Sequence, residues 1–417
     1  MFIKIVENFR LNEKRSLFNE QNNNADGATK IEIAAINEVA IKKYINEFWT
    51  SKQRQANGIH EVSYRACFKP QLPGFFITNL TKENDFVYDP FLGRGTTLIE
   101  AALLNRQVIG NDINPLSRIL SEPRLLIPDI TDLSAYLEQI PFGKGLKADV
   151  DLSMFFHPET ESEIVSLRKF ILQKEKNSRL TELDKWIRMV ATNRLTGHSS
   201  GFFSVYTMPP NQAVSSERQI KINEKRNQKP DYRDVKKIII KKTKSLIRNI
   251  SPLEKERLKQ IYKTAVFLNE DAGQTKKIPD GFIQLTVTSP PFLDVVQYAK
   301  DNWLRGWFNG IDARQVEKKI TMSKTVEQWQ ITMQNVFDEL YRITKVGGFV
   351  AFEVGEVKNG KVKLDEHVVP LGINSGFTVI GIIINEQKFT KTANIWGIKN
   401  NSAGTNSNRI VLFQKEK

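Results

Sequence analysis

VYDPFLGRGTTLIEAALLNRQVIGNDINP, residues 87–115, decides the fold. A short apolar run, VYDP, ends in an acid and turns through two glycines. TTLIEAALLN then places apolar residues at helical spacing, and QVIGNDINP is a second apolar run that again ends in an acid. Strand, glycine loop, helix and strand in that order open a doubly wound α/β sheet. Ligands of such sheets bind beyond the carboxyl ends of the strands, so Asp89 and Asp112 are delivered to the ligand edge.

Gly93 and Gly95 allow a close backbone approach and a positive φ without steric conflict. Their spacing differs from the three-glycine fingerprint that cradles a pyrophosphate. Two glycines before Thr96 suit a ligand with a cationic amino-acid moiety and no phosphate. Asp89 is expected to orient the ligand or its ammonium group. Asp112, seventeen residues after Gly95, stands where an acid accepts hydrogen bonds from both ribose hydroxyls, and Asp271, in NEDAG after a third predicted strand, stands where an adenine amino group is met. Read singly, each is also what an ordinary turn or a solvated strand end would give; in this order they specify an adenosyl cofactor.

The second informative stretch is TSPPF, residues 288–292, which closes the predicted strand IQLTVT. A nucleobase amino nitrogen is a poor nucleophile because its lone pair is delocalised into the ring. Two acceptors on its two N–H groups would hold it in line and draw it towards sp³ geometry. The Ser289 side chain and the Pro290 carbonyl are such acceptors. Pro290 and Pro291 fix φ at successive positions, so the acceptors are preorganised. Phe292 can stack on a flat base taken out of the helix. A rigid turn capping a buried strand is the plainer reading of the same residues.

Together, DPFLGRGTT, GNDINP and TSPPF resemble the S-adenosylmethionine-dependent DNA amino-methyltransferases of restriction–modification systems, whose motifs read DPF-x-G-x-G-T and [DNS]-PP-[YFW]. The resemblance implies a Rossmann-like class I methyltransferase: a doubly wound sheet with a large, mostly helical insert. It implies S-adenosylmethionine as cofactor, contacted by Asp89, Pro90, Phe91, Gly93, Gly95, Thr96, Asp112, Ile113 and Asp271, with Lys69 and Pro70 in FKPQLP as weaker candidates for the methionine end. It implies Ser289, Pro290, Pro291 and Phe292 as the catalytic residues and no metal. Serine at the first tetrad position resembles the cytosine-N4 enzymes, whereas Asp or Asn is usual for adenine-N6 enzymes. Cytosine is the favoured base, with adenine N6 or an RNA methyltransferase of the same fold as alternatives. Cys67 lacks the Pro-Cys context of a ring-carbon nucleophile.

The remainder of the chain is read around that scaffold. Residues 1–30 are polar and read as a flexible lead-in, and IEIAAINEVAIKKYINEFW as an amphipathic helix, so 1–60 is expected to be an N-terminal helical extension. Prolines 70 and 73 argue against a continuous helix in YRACFKPQLPGFFITNL. The catalytic domain is assigned to 61–120 and 260–417, closed by FTVIGIIINE and RIVLFQKEK as an antiparallel pair. Residues 121–259 form a helical basic insert, the candidate target recognition region. From Arg218 to Arg248 twelve Lys/Arg face three acids, a net +9 of the chain's +14. Charge runs are usually solvated faces, but this concentration suits a surface that tracks phosphates of double-stranded DNA. The loops 193–212 and 396–409 are further candidates for approach to DNA. One cysteine, four scattered histidines and no long apolar run leave neither a disulfide framework, nor a metal site, nor a membrane span in view. The expectation is a cytoplasmic protein with a cognate restriction endonuclease sharing its target site.

Overall fold

Residues 86–111 fold as the sequence predicts. The computed structural model describes residues 2–10, 28–49, 56–64, 67–209, 213–291, 298–320, 323, 325–357, 362–386 and 407–417. Helix α1 (Phe2–Glu7) is followed by strands β1 (Lys30–Ile36) and β2 (Val39–Asn46), helix α2 (Gln71–Leu80), β3 (Phe86–Asp89), α3 (Thr96–Leu103) and β4 (Gln107–Asn111). Helices α4 (Leu116–Ser121), α5 (Ile130–Gln139), α6 (Pro158–Lys176), α7 (Glu182–Arg194), α8 (Ser216–Arg226), α9 (Val235–Ile247) and α10 (Pro252–Tyr262) then separate β4 from β5 (Val266–Leu268). After β6 (Ile283–Thr288) come α11 (Tyr298–Asn309), α12 (Ala313–Lys319), α13 (Val326–Ile343), β7 (Thr344–Val354), the short pair β8 (Glu356–Val357) and β9 (Val362–Lys363), α14 (Leu364–Asn374), β10 (Thr378–Glu386) and β11 (Ser407–Gln414).

Nine strands form one sheet in the order β1-β2-β10-β11-β7-β6-β3-β4-β5. β5, β4, β3, β6 and β7 are parallel neighbours, and β11 runs antiparallel to both β7 and β10. The chain reverses its direction of growth between β3 and β6, so the switch point lies where the Gly turn and the Pro-Pro turn leave the sheet. This is the doubly wound class I methyltransferase arrangement expected, with the large helical insert between β4 and β5.

Two expectations for the N-terminal part need correction. Residues 30–46 are a hairpin, not an amphipathic helix, and they extend the sheet through parallel pairing of β2 with β10. Asn37 and Glu38 both have positive φ, 47° and 65°, as a two-residue turn between right-twisted strands requires. The apolar residues of this stretch fit the helical and the alternating period alike, and the turn has no glycine to mark it. Within the expected lead-in, α1 buries Phe2 and Val6, and Phe2 packs on Phe75 and Phe76 of α2. Helix α2 itself runs through Pro73, because that proline lies in the first turn, where a missing N–H breaks no bond.

The insert does not have a core of its own. Leu133, Phe155, Ile164, Trp186 and Ile239 are buried in one continuous cluster with Val87, Leu98 and Ile383 of the sheet and its first helix. Trp186 donates from Nε1 to Thr243 Oγ1 at 2.9 Å, tying α7 to α9. The opposite sheet face packs Tyr88, Phe352 and Phe413 under Phe337 of α13 and Val368 of α14. Among the described residues no helix is long and apolar enough to cross a membrane.

Candidate active site

At the carboxyl ends of β3, β4, β5, β6 and β7 lies a cavity of about 280 Å³. The Gly turn supplies Pro90, Phe91 and Gly93 to its wall; β4 supplies Asp112 and Ile113; β5 supplies Glu270, Asp271 and Ala272; β6 supplies Ser289, Pro290 and Pro291. The two motifs that are distant in sequence therefore border one space. They are also fastened to each other, since Thr97 Oγ1 donates to the Val287 carbonyl at 3.0 Å and Thr288 Oγ1 to Asp89 Oδ1 at 2.7 Å.

The Gly turn is shaped by acids that act on the backbone. Asp112 Oδ2 accepts from the Gly93 amide at 2.8 Å and from Ser117 Oγ at 2.7 Å, while Oδ1 accepts from the Asn114 amide at 2.8 Å. Burial pushes the Asp112 carboxyl up from its ordinary value, and those three donors partly offset the shift. Gly93 has φ of 50°, which turns its backbone towards the cavity. Gly95 also has positive φ, 75°, but its role is packing: a Cβ there would lie 2.6 Å from Ser121 Cβ.

Several expected cofactor residues lie behind the wall and not on it. Gly95 and Thr96 face the α4 side, where Thr96 Oγ1 accepts from Arg94 Nε at 3.0 Å. Asp89 is buried and accepts from the Phe91 amide and from Thr288, so it joins two strand ends and does not line the cavity. Burial drives its carboxyl up to about 7 despite these donors. Lys69 is half-buried outside the lining, although its neighbours Cys67 and Phe68 are in it. Asp271 does line the cavity, with Oδ1 accepting from the Gly273 amide at 2.8 Å.

At the other end, Ser289 and Pro290 line the cavity. Trp329 Nε1 of α13 donates to the Pro291 carbonyl at 3.0 Å, which holds the turn. Among the described residues no donor occupies the Pro290 carbonyl. Phe292 lies outside the described residues, as does most of the expected loop 396–409.

Sequence reading missed part of the wall. Thr332, Met333 and Val336 form a stripe on α13, and Tyr64, Lys319, Ile320, Glu353 and Asn408 come from segments with no motif. Glu353 was the most legible of these, as an acid inside the apolar strand FVAFEV. The cavity fits the implied cofactor: it has an apolar floor of Ile113, Ala272, Met333 and Val336 for a flat ring, and Asp112, Glu270 and Asp271 for hydroxyls and a cation. Among the described residues Lys319 is its one cationic lining residue, so that wall is poorly suited to a phosphate.

Comparison with known proteins agrees with this geometry. Residues 7–118 match the model of a family described as DNA methylase, one that covers amino-N6 and amino-N4 enzymes. The type II methyltransferase M.MjaII of Methanocaldococcus jannaschii is 34% identical over 86 residues, 21% of this chain and 16% of the relative. M.MvaI of Kocuria varians is 26% identical over 295 residues, 64% of this chain and 59% of its own. M.BsoBI of Geobacillus stearothermophilus is 24% identical over 331 residues, 72% and 62%. The chain thus spans less than two thirds of the length of each. The resemblance to restriction–modification DNA amino-methyltransferases is borne out by these matches, which do not separate N4 from N6.

Proposed function

We propose that the protein transfers a methyl group from S-adenosylmethionine to the exocyclic amino group of a base in double-stranded DNA, and that the base is cytosine, modified at N4. The observation that carries this reading is the meeting of Gly93 and Asp112 with Ser289 and Pro290 around one cavity. Bound S-adenosylmethionine would supply an electrophilic methyl on sulfonium. Gly93, Asp112, Ile113 and Asp271 would hold it, and the α13 stripe would close over its ring. The Ser289 hydroxyl and the Pro290 carbonyl would each accept one N–H of the target amine, concentrating its lone pair on the methyl. A base must leave the duplex to reach such a cavity, so base flipping follows. Tyr64 and Phe68 give the wall aromatic surface for it.

The insert is proposed to grip the DNA backbone. On α8, Arg218, Lys221, Lys225 and Arg226 are exposed and have no acidic partner within 4 Å among the described residues. On α9, by contrast, Lys236 pairs with Glu138, Lys237 with Asp234 and Lys242 with Glu61. Helix α8 is therefore the better phosphate-tracking surface. Its start is tied to α11, where Trp303 donates from Nε1 to the Val214 carbonyl just before it. A modification role beside a cognate restriction endonuclease is the matching biological setting.

The test is incubation with unmethylated DNA and labelled S-adenosylmethionine, followed by mass spectrometry of the nucleosides. N4-methylcytosine is expected. N6-methyladenine would correct the base, and label in RNA with none in DNA would overturn the reading.

A further inference from the structure

β6 and β7 run parallel with Thr288 opposite Phe352, which brings the next residues, Ser289 and Glu353, side by side at the cavity wall. Glu353 is only 8% exposed. Its Oε1 accepts from Asn408 Nδ2 of β11 at 3.1 Å, and the neighbouring Ser289 side chain lowers its affinity for a proton. An ionised carboxylate has lone pairs and no proton, so Asn408 donates to it and a hydroxyl next to it can only do the same. Beside an ionised Glu353 the Ser289 hydroxyl would turn its proton to the carboxylate and its lone pairs to the cavity.

We propose that Glu353 is the positioning residue and proton acceptor for Ser289, fixing the hydroxyl as an acceptor of the amine N–H and taking up the proton that the reaction releases. The inference rests on the amino-methyl transfer proposed above. As the amine lone pair forms its bond to the methyl carbon, the carbon–sulfur bond breaks and its electron pair stays on sulfur. The amine then carries one proton too many. That proton moves to Ser289 Oγ while the Ser289 proton moves to Glu353, leaving a neutral methylated amine and a neutral Glu353. Glu353 releases its proton to water when the product leaves.

The surroundings suit the task. Burial pushes the Glu353 carboxyl up, while Ser289 and Asn408 pull it down, and no charged neighbour contributes. The other titratable groups of the wall are Tyr64, Cys67, Asp112, Glu270, Asp271 and Lys319. Asp89 at the end of β3 is engaged with Thr288 of β6, and Arg409, beside Glu353 on β11, is engaged with Asp365 at 3.0 Å. Glu353 is thus an acid of raised affinity for protons, held next to the group that must shed one.

The first test needs no turnover. With carboxyl-13C glutamate, the Glu353 resonance is identified by its loss in Glu353→Gln, and its titration midpoint should rise in Ser289→Ala and in Asn408→Ala, each of which deletes a donor. A midpoint unmoved by both would overturn the proposal. In single-turnover methylation of DNA, Glu353→Gln should slow transfer by roughly 100-fold and remove the acid limb of the rate profile, with S-adenosylmethionine affinity kept within about twofold. Ser289→Asp should be poor beside Glu353, from two adjacent carboxylates, and be restored by adding Glu353→Gln. A Glu353→Gln enzyme with wild-type rate and pH profile would sink this inference alone. A wild-type protein that methylates no DNA would sink the proposed function, and this inference with it.

Discussion

The two ends of the cavity use their polar groups in opposite ways. At the cofactor end Asp112 is already occupied by the Gly93 and Asn114 amides and the Ser117 hydroxyl. At the chemical end no donor from the described residues occupies the Pro290 carbonyl, and Ser289 and Pro290 both line the cavity. One end directs its acceptors to its own backbone and so holds a shape; the other offers its acceptors outwards. The same contrast recurs in the insert, where the α9 cations are largely paired and those of α8 are not.

Four measurements would break or sharpen that contrast. Ser289→Ala should lower kcat by roughly 10²–10³, about 3–4 kcal/mol of barrier, while calorimetry finds cofactor affinity nearly unchanged. An equal loss of affinity would erase the distinction between the ends. Asp112→Ala should act the other way, losing roughly 2 kcal/mol of thermal stability and more than about tenfold in cofactor affinity, because the Gly93 and Asn114 amides lose their acceptor.

Asp89 gives a pH signature of the shape-holding end. Its carboxyl rises from 3.8 to about 7 in the fold, so the folded chain binds that proton more tightly than the unfolded one. Its contribution to stability is then fully present below pH 3.8 and is lost as pH rises through about 7. Asp89→Asn keeps an acceptor for Phe91 and Thr288 but cannot ionise, so its melting temperature should fall less than wild type's between those limits. Parallel curves would contradict the assignment. The smallest effect is on DNA binding. Lys225→Glu on α8 should weaken it several-fold and reduce the slope of log K against log salt by about 0.9 for each phosphate that is no longer neutralised. Lys237→Glu on the paired face of α9 should do markedly less.

The parts of this arrangement that were legible in the sequence are those set by local chemistry. VYDP followed by a two-glycine turn, and an apolar strand running into Pro-Pro, have few other foldings, and both emerged where expected. What sequence could not resolve were matters of tertiary choice. The hairpin at 30–46 satisfies either period until β10 offers it an edge. Gly95 reads as a ligand contact until Ser121 is seen against it. Asp89 reads as a cofactor ligand until Thr288, distant in the chain, takes its oxygen. The α13 stripe of Thr332, Met333 and Val336 was indistinguishable from ordinary core spacing, since facing a cavity and facing a core demand the same residues.

The N-terminal hairpin carries a consequence for biogenesis. β2 has one sheet partner in β1 and the other in β10, and Lys43 is locked to Glu366 while Asn385 accepts the Phe48 and Trp49 amides. These bonds join segments more than 320 residues apart. During synthesis the hairpin can dock only after the chain through β10, more than 320 residues later, has emerged. Until then the β2 edge stays unpaired, and on the far side of the hairpin Ile33 of β1 is 71% exposed in the folded chain. Assembly of this part of the sheet waits on β10, and termination before β10 would strand the hairpin without its mate.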